Sequence, residues 1–381
     1  MAKHRTRAAN GMGTVRQRKD GLWEGRYTTP DGRQRSVYAR TEAEVTKKLR
    51  ATLHDVDTGA WKEPSRMTVG EWLEIWLRDY QGHTTGRTLE TYRSVVRRHM
   101  LPVFGEVKMS KMGQIHARRM VSTMQANGKS ATTIRHASGI LSAAMRCAIE
   151  AGLIRDNPAD GLKLPRRKKT QFEIIDREQI PAFIAAAQNT MYTNELTLML
   201  YTGLRVGEVR GLRWDDFDVD AGTLNVQRQL HAVTHNIRFG PPKDGEERVI
   251  QLAPEAVEVL KHQRKRQAEQ RLAAGLDWRE DDISRGLIFR QRSGKAHTEV
   301  SIYWAVRTAG EEIGVPGLRP HDLRHSYAVA ALRSGADVKT VQHNLGHKNA
   351  SITLDTYAAY TTDAGKEGAK KLSEYLQNAQ K

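Results

Sequence analysis

"YTGLRVGEVRGLRWDDFDV" (residues 201–219) passes through three local patterns in quick succession. An apolar run ends at Thr202, Gly203-Leu204-Arg205 makes a turn, and a short helical pattern then leads into a strand-like "DFDV". Glycine punctuates because it reaches backbone angles that other residues avoid. A helix, a turn, a helix and a strand in so short a space mark a region that mixes both element types. Arg205, alone, reads equally as a residue at a helix start, and Glu208 as a helix-surface carboxylate.

Working outward, three further stretches stand out in the same part of the chain. "PPKDGEERVIQL" (241–252) places Lys243 at an expected hairpin tip ahead of a strand. "RPHDLRHSYAVAAL" (319–332) puts His321 and Arg324 three apart, on one face of a helix. "LGHKNASITLDTYAAY" (345–360) carries a Gly-His pair, then Tyr357 and Tyr360, ten and thirteen residues after His347. Each also has a plain structural reading: Lys243 as a solvated turn, His321 as a core histidine, the tyrosines as packing residues.

Charge is the broadest functional signal. The 381 residues carry a formal charge of +17, unevenly spread. Residues 1–64 hold 14 Lys and Arg against 8 Asp and Glu, and residues 65–171 hold 19 against 8. Residues 172–381 hold 28 of each, so the whole excess lies in the first 171 residues. Such asymmetry points to a polyanionic partner, since neutralising phosphates releases condensed counterions. No apolar run is long enough to span a membrane, and the basic N-terminus has no apolar segment behind it that would make a secretory signal. The single Cys147 excludes a disulfide framework and a cysteine zinc site, and fits a reducing cytoplasm.

Length calls for two or three domains. Residues 1–64 read as three short strands with Asp-Gly turns, then a helix opened by Thr41 with Glu44 and closed at Gly59. This small basic sheet suits a DNA groove, and a dimerisation module equally; Arg16, Arg18, Arg26, Arg33 and Arg35 are its candidate DNA contacts. Residues 65–164 read as helical. Thr68 and Glu71 form a capping box, "TLETYRSVVRRHML" should stop at Pro102, and a further helix should bury Ile134, Ile140, Leu141, Ala144, Met145, Ala148 and Ile149 before ending at Gly152. Arg93, Arg97, Arg98, Arg118, Arg119, Arg135 and Arg146 are spread over these helices as further DNA-contact candidates. Residues 165–171, with "PRRKKT", read as a basic linker, and residues 172–381 as a mixed α+β domain whose first helix opens at Asp176 with Gln179.

The order Arg205, Lys243, His321-x-x-Arg324, Gly346-His347, Tyr357 resembles that of the tyrosine recombinases, the lambda-integrase family. The match covers the whole third region, and the preceding segments resemble the arm-binding and core-binding domains of phage and conjugative-element integrases. The resemblance implies a multidomain, mainly α fold with small β-sheets: a three-stranded sheet plus helix, a helical core-binding domain and an α+β catalytic domain. It implies a site-specific integrase that cuts and rejoins DNA through a 3′-phosphotyrosyl intermediate and a Holliday junction, with no cofactor and no metal. Its partners would be double-stranded attachment sites, three further copies in a homotetramer and an accessory DNA-bending or directionality factor. A type IB topoisomerase and a non-catalytic DNA-binding regulator are the alternatives.

The implied chemistry explains the residue types. Arg205 and Arg324 would grip non-bridging phosphate oxygens, because guanidinium is always charged and forks onto two oxygens. His321 and His347 would donate to the same phosphate, Lys243 would protonate the departing 5′-oxygen, and Glu208 would support Arg205. Tyr357 fits the family's spacing for the nucleophile better than Tyr360. The chain departs from the common pattern at Ala359, where many members carry His, and at Asn344, where many carry an apolar residue. The final "TTDAGKEGAKKLSEYLQNAQK" should end as a short amphipathic helix with Leu372 and Leu376, docking in cis or on a neighbouring subunit.

Overall fold

The computed structural model describes residues 13–59, 66–79, 84, 86–167, 172–233, 236–242, 247–346 and 373. Lys243, His347, Tyr357, Tyr360 and the C-terminal amphipathic pattern therefore lie outside the described residues. The chain divides into two compact units, Met1–Arg167 and Lys168–Lys381.

The first unit opens with an antiparallel meander of β1 (Thr14–Gln17), β2 (Trp23–Thr28) and β3 (Gln34–Ala39). Its two turns are the expected Asp-Gly pairs, with Gly21 at φ +83° and Gly32 at φ +81°, angles that suit glycine. Helix α1 (Glu42–Asp57) lies on this sheet and buries Val45 and Leu49. Gly25 permits the close approach: a Cβ there would stand 3.1–3.3 Å from Val37, Leu49 and Val45. The Thr41 hydroxyl caps α1 by accepting from the Glu44 amide at 3.3 Å.

The helical part of the unit comprises α2 (Val69–Asp79), α3 (Gly86–Val95), α4 (Leu101–Phe104), α5 (Gln114–Ala126) and α6 (Ala131–Glu150). Thr68 and Glu71 close the expected capping box, at 2.7 and 3.2 Å. On α6 the expected face is buried except Ile149, which is half-buried. Trp72 and Trp76 of α2 are buried in the same core, where the Trp72 indole donates to the Ala144 carbonyl at 3.0 Å. Gly152 ends α6 at φ +71°, with Leu153 donating back to the Ala148 carbonyl, as a Schellman turn requires. Pro102 does not stop its helix. The chain runs from α3 through a wide π turn (Val96–Met100) into α4, and Pro102 sits in the first turn of α4. A proline is tolerated there because the first amides of a helical segment need no intrahelical acceptor.

The second unit starts with a 3₁₀ turn (Arg177–Gln179), in which Gln179 accepts from the Asp176 amide at 3.1 Å. Then follow α7 (Ile180–Gln188), α8 (Thr193–Thr202) and α9 (Val206–Gly211). Three strands, β4 (Phe217–Asp218), β5 (Thr223–Val226) and β8 (Arg248–Gln251), form one antiparallel sheet in the order β4-β5-β8. A separate hairpin pairs β6 (Gln229–Val233) with β7 (Asn236–Gly240). The strands flanking Lys243 are thus β7 and β8, which pair with different partners, so they do not form the hairpin expected around it. Helices α10 (Pro254–Ala274), α11 (Glu299–Glu312), α12 (Pro320–Arg333) and α13 (Val338–Leu345) complete the unit. Phe183, Leu196, Met199, Leu204, Leu224, Ile250, Leu260, Val306 and Leu323 make its core, each such side chain contributing roughly 1.5–3 kcal/mol through burial. Among the described residues, no helix is long and apolar enough to cross a membrane.

Candidate active site

Helix α8 ends in a left-handed Gly203, at φ +65°. A Cβ at this position would come within 2.4 Å of the Tyr327 ring and 2.9 Å of Leu345, so only glycine lets α12 and α13 close over the end of α8. The closure brings the Gly203 carbonyl to Arg324 on α12, whose Nη1 donates to it at 2.9 Å. Arg324 is buried, and its Nη2 donates to the carbonyl of Leu345, the last residue of α13.

Arg205 stands just before α9. Its amide donates to Glu208 Oε2 at 2.9 Å, its Nη1 to Glu208 Oε1 at 3.1 Å, and its Nη2 reaches the Gly346 carbonyl at 3.4 Å. Arg205 is thus both the helix-start residue and a held cation. Glu208 is no surface carboxylate: it is fully buried. Burial pushes its carboxyl up, but hydrogen bonds from Arg248 and the charges of Arg248 and Arg205 outweigh that and hold it below the usual range.

Arg248 is the residue that motif reasoning missed. It opens β8, its side chain only 3% exposed, and grips both Glu208 oxygens at 3.2 and 2.8 Å. Its Nε donates to the Asn344 carbonyl at 2.9 Å. A signal was present: in "RVIQ" the period-2 alternation puts Arg248 on the buried face with Ile250, while Val249 and Gln251 are exposed. Asn344 also finds a polar partner where an apolar residue is common, since its amide donates to the Tyr327 hydroxyl at 2.8 Å.

His321 is exposed on α12, one turn before Arg324. Its ring meets His325 edge-on at 4.7 Å, and His325 stacks on Phe172 at 4.1 Å. Burial, then the neighbouring His321, holds the His325 pKa down to about 4, so at neutral pH this ring is uncharged. Among the described residues, then, Arg205, Glu208, Arg324 and the unexpected Arg248 converge on the end of α13, where the chain continues into His347. No group of three or more His, Cys, Asp or Glu side chains able to hold a metal occurs among them.

The DNA-contact candidates lie elsewhere, in the first unit. On the sheet, register places Arg16 and Arg26 on the face away from α1, on either side of a buried Glu24. Hydrogen bonds from Ser36 and Arg16 hold the Glu24 carboxyl down at about 2. Arg18 and Arg33 sit at the turns beside Asp20 and Asp31, while Arg35 pairs in register with Tyr27, on the α1 side. Arg93, Arg97, Arg98, Arg118, Arg119 and Arg146 are exposed on the helices. Arg135 is half-buried and donates to the Pro165 carbonyl at 2.9 Å, so it anchors the chain where the basic linker was expected to begin.

Comparison with known proteins identifies the family and the fold. The description "Phage integrase family" matches residues 173–363, and "Phage integrase, N-terminal SAM-like domain" matches residues 68–125. The chain is 27% identical over 353 residues to a XerC-like tyrosine recombinase of Caldanaerobacter subterraneus subsp. tengcongensis, covering 85% of this chain and 87% of that one. Its fold is similar to the Tn1549 transposon integrase in complex with a circular intermediate DNA (TM-score 0.66, 21% identity, 80% of this chain and 99% of that one). It is also similar to a lambda integrase tetramer bound to a Holliday junction (TM-score 0.55, 18% identity, 88% and 96%).

Proposed function

The chain belongs to the phage integrase family, and we infer from that membership and from the arginines gathered at the end of α13 that it recombines DNA at specific sites to move a genetic element. It is a tyrosine recombinase, an enzyme that cleaves and rejoins DNA strands. The observation that carries the assignment of its site is the meeting of Arg205 and Arg324 on successive carbonyls, Gly346 and Leu345.

That meeting suits phosphoryl transfer. The transition state gathers negative charge on the non-bridging oxygens, and cations whose planes are already set stabilise it without reorganisation. Arg205 and Arg324 take this role. Tyr357 gives up its phenolic proton, to His321, as its oxygen attacks phosphorus, and the bond to the 5′-oxygen breaks as Lys243 delivers a proton to that oxygen. The product is a 3′-phosphotyrosyl link and a free 5′-hydroxyl, and the reverse attack by another strand's hydroxyl rejoins the DNA. His321 and His347 donate to the same phosphate, and Glu208 keeps Arg205 aimed. Bond energy is conserved throughout, so rejoining needs no nucleotide.

Exchange between two duplexes requires four such centres, and the lambda integrase tetramer on a Holliday junction supports a homotetramer on paired attachment sites here too. The exposed arginines of the first unit supply duplex affinity, and a DNA-bending or directionality factor completes the assembly. The test is a nicked duplex spanning the joined ends of the element, mixed with the full chain in EDTA. The expected result is a covalent adduct that survives detergent, is lost in Tyr357→Phe with DNA binding intact, and persists in Tyr360→Phe. Adduct from Tyr357→Phe but not Tyr360→Phe would reverse the nucleophile assignment. Relaxation of supercoils without site preference would overturn the recombinase reading in favour of a topoisomerase.

A further inference from the structure

Three consecutive carbonyls at the end of α13 are each taken by a different arginine. Arg248 holds Asn344, Arg324 holds Leu345 and Arg205 holds Gly346. The last carbonyls of a helix have no intrahelical partner and form the negative end of its dipole, so cations settle there. Two of the three arginines belong to the recombination site proposed above, on which this inference rests. Arg248 has no part in that chemistry, yet it is more deeply buried than Arg205, with side chains 3% and 16% exposed.

Its contacts show what it couples. Through both Nη atoms it grips Glu208, the carboxylate that also takes the Arg205 amide and guanidinium. Through Nε it holds Asn344, three residues before His347. Gly346 lies flush against it: at φ +62°, a Cβ there would stand 3.0 Å from Arg248 Nη1 and 3.1 Å from Cζ. Any other residue at position 346 would have to displace the guanidinium.

We propose that Arg248 is a positioning residue of the recombination site, bridging Glu208 and the Asn344 carbonyl so that Arg205 and the end of α13 hold one fixed arrangement toward the scissile phosphate. Only a planar guanidinium spans both partners; a lysine ammonium at this position reaches one. Arg248 touches no reacting atom, and its effect passes through the groups it holds.

The experiment uses the full chain and a nicked duplex across the element's joined ends, in two forms: one with an ordinary scissile phosphodiester, one with a methylphosphonate there. The methylphosphonate lacks the charged non-bridging oxygen and so depends less on well-aimed cations. Arg248→Lys keeps the buried charge opposite Glu208, which preserves folding. It is expected to slow adduct formation on the phosphodiester by about 100-fold, as for a small misplacement of a catalytic group, with duplex binding unchanged. On the methylphosphonate the loss should shrink, as it should for Arg205→Ala. Cleavage by Arg248→Lys at the unaltered rate, or an equal loss on both substrates, would overturn the proposal, since general damage to the fold does not distinguish the two phosphates. Should Arg248→Lys fail to fold, the neutral pair Glu208→Gln with Arg248→Met replaces it. That pair must cleave the phosphodiester more slowly than Glu208→Gln alone, and equal rates sink the idea. No adduct from the unaltered chain would overturn the recombinase reading, and this inference with it.

Discussion

The two units carry charge in opposite ways. In the first, the cations are displayed: Arg16, Arg26 and Arg33 expose 57%, 41% and 70% of their side chains, and Lys and Arg far outnumber the acids. In the second, the charges nearly cancel in number, 30 Lys and Arg against 28 Asp and Glu, and Arg205, Arg248 and Arg324 are inside, held by carbonyls and one buried carboxylate. Displayed cations meet a polyanion by mass action and are screened by salt. Enclosed cations keep their orientation and act at short range, where water does not dilute them. On the proposed function, the contrast separates holding DNA from cutting it.

The largest effect expected from breaking this contrast is at Glu208. Glu208→Ala leaves Arg205 and Arg248 facing each other without their shared carboxylate, and should cost about 3–5 kcal/mol of stability, as removing one partner of a buried pair does. Chemical denaturation of the full chain measures it; a loss below about 1 kcal/mol would mean that the network behaves like a surface pair.

A smaller stability effect, but a clear binding effect, is expected at the displayed end. Arg18→Gln with Arg33→Gln removes two turn cations whose partners Asp20 and Asp31 are themselves exposed. Stability should change by less than about 1 kcal/mol. The slope of log K against log salt for duplex binding should become shallower by about one unit for each phosphate that the protein no longer neutralises. An unchanged slope would remove these turns from the DNA-binding surface.

Acid should sharpen the contrast further. His325 titrates at about 4 in the folded chain, against about 6.5 when unfolded. The unfolded chain therefore binds the extra proton first, and the second unit loses stability as pH falls from about 6.5 to about 4. Glu24 is held at about 2 against an ordinary 4.5, so its contribution is present above that value and is lost only as pH falls from about 4.5 towards 2. Hydrogen exchange corrected for intrinsic rates should show α12 loosening before β2; the reverse order would disprove the assignment of these two groups.

Much of this was legible in the linear chain. The charge imbalance, the capping pairs Thr41-Glu44, Thr68-Glu71 and Asp176-Gln179, and the buried face of α6 are local or periodic features, and a short window of residues suffices to state them. The order Arg205, His321, Arg324, Gly346 was equally visible, because it depends on residue type and spacing alone. Pro102 misled for a physical reason: its missing amide forbids a regular helix interior but not a fresh start after a π turn, and the difference lies in how α3 and α4 pack.

What tertiary structure alone decided is where each charge ends up. Glu208 and Arg248 are forty positions apart, and only Glu208 was marked by the family pattern; Arg248 does not look exceptional in sequence. They become a buried bidentate pair because β8 joins β5 rather than β7, while α9 brings Glu208 to meet it. The three arginines find consecutive carbonyls because Gly203 lets α12 and α13 close on α8. Spacing along a chain specifies which groups are available. Burial and the unfilled carbonyls of a helix end specify which of them are held still, and that depends on contacts between segments that no window of sequence contains.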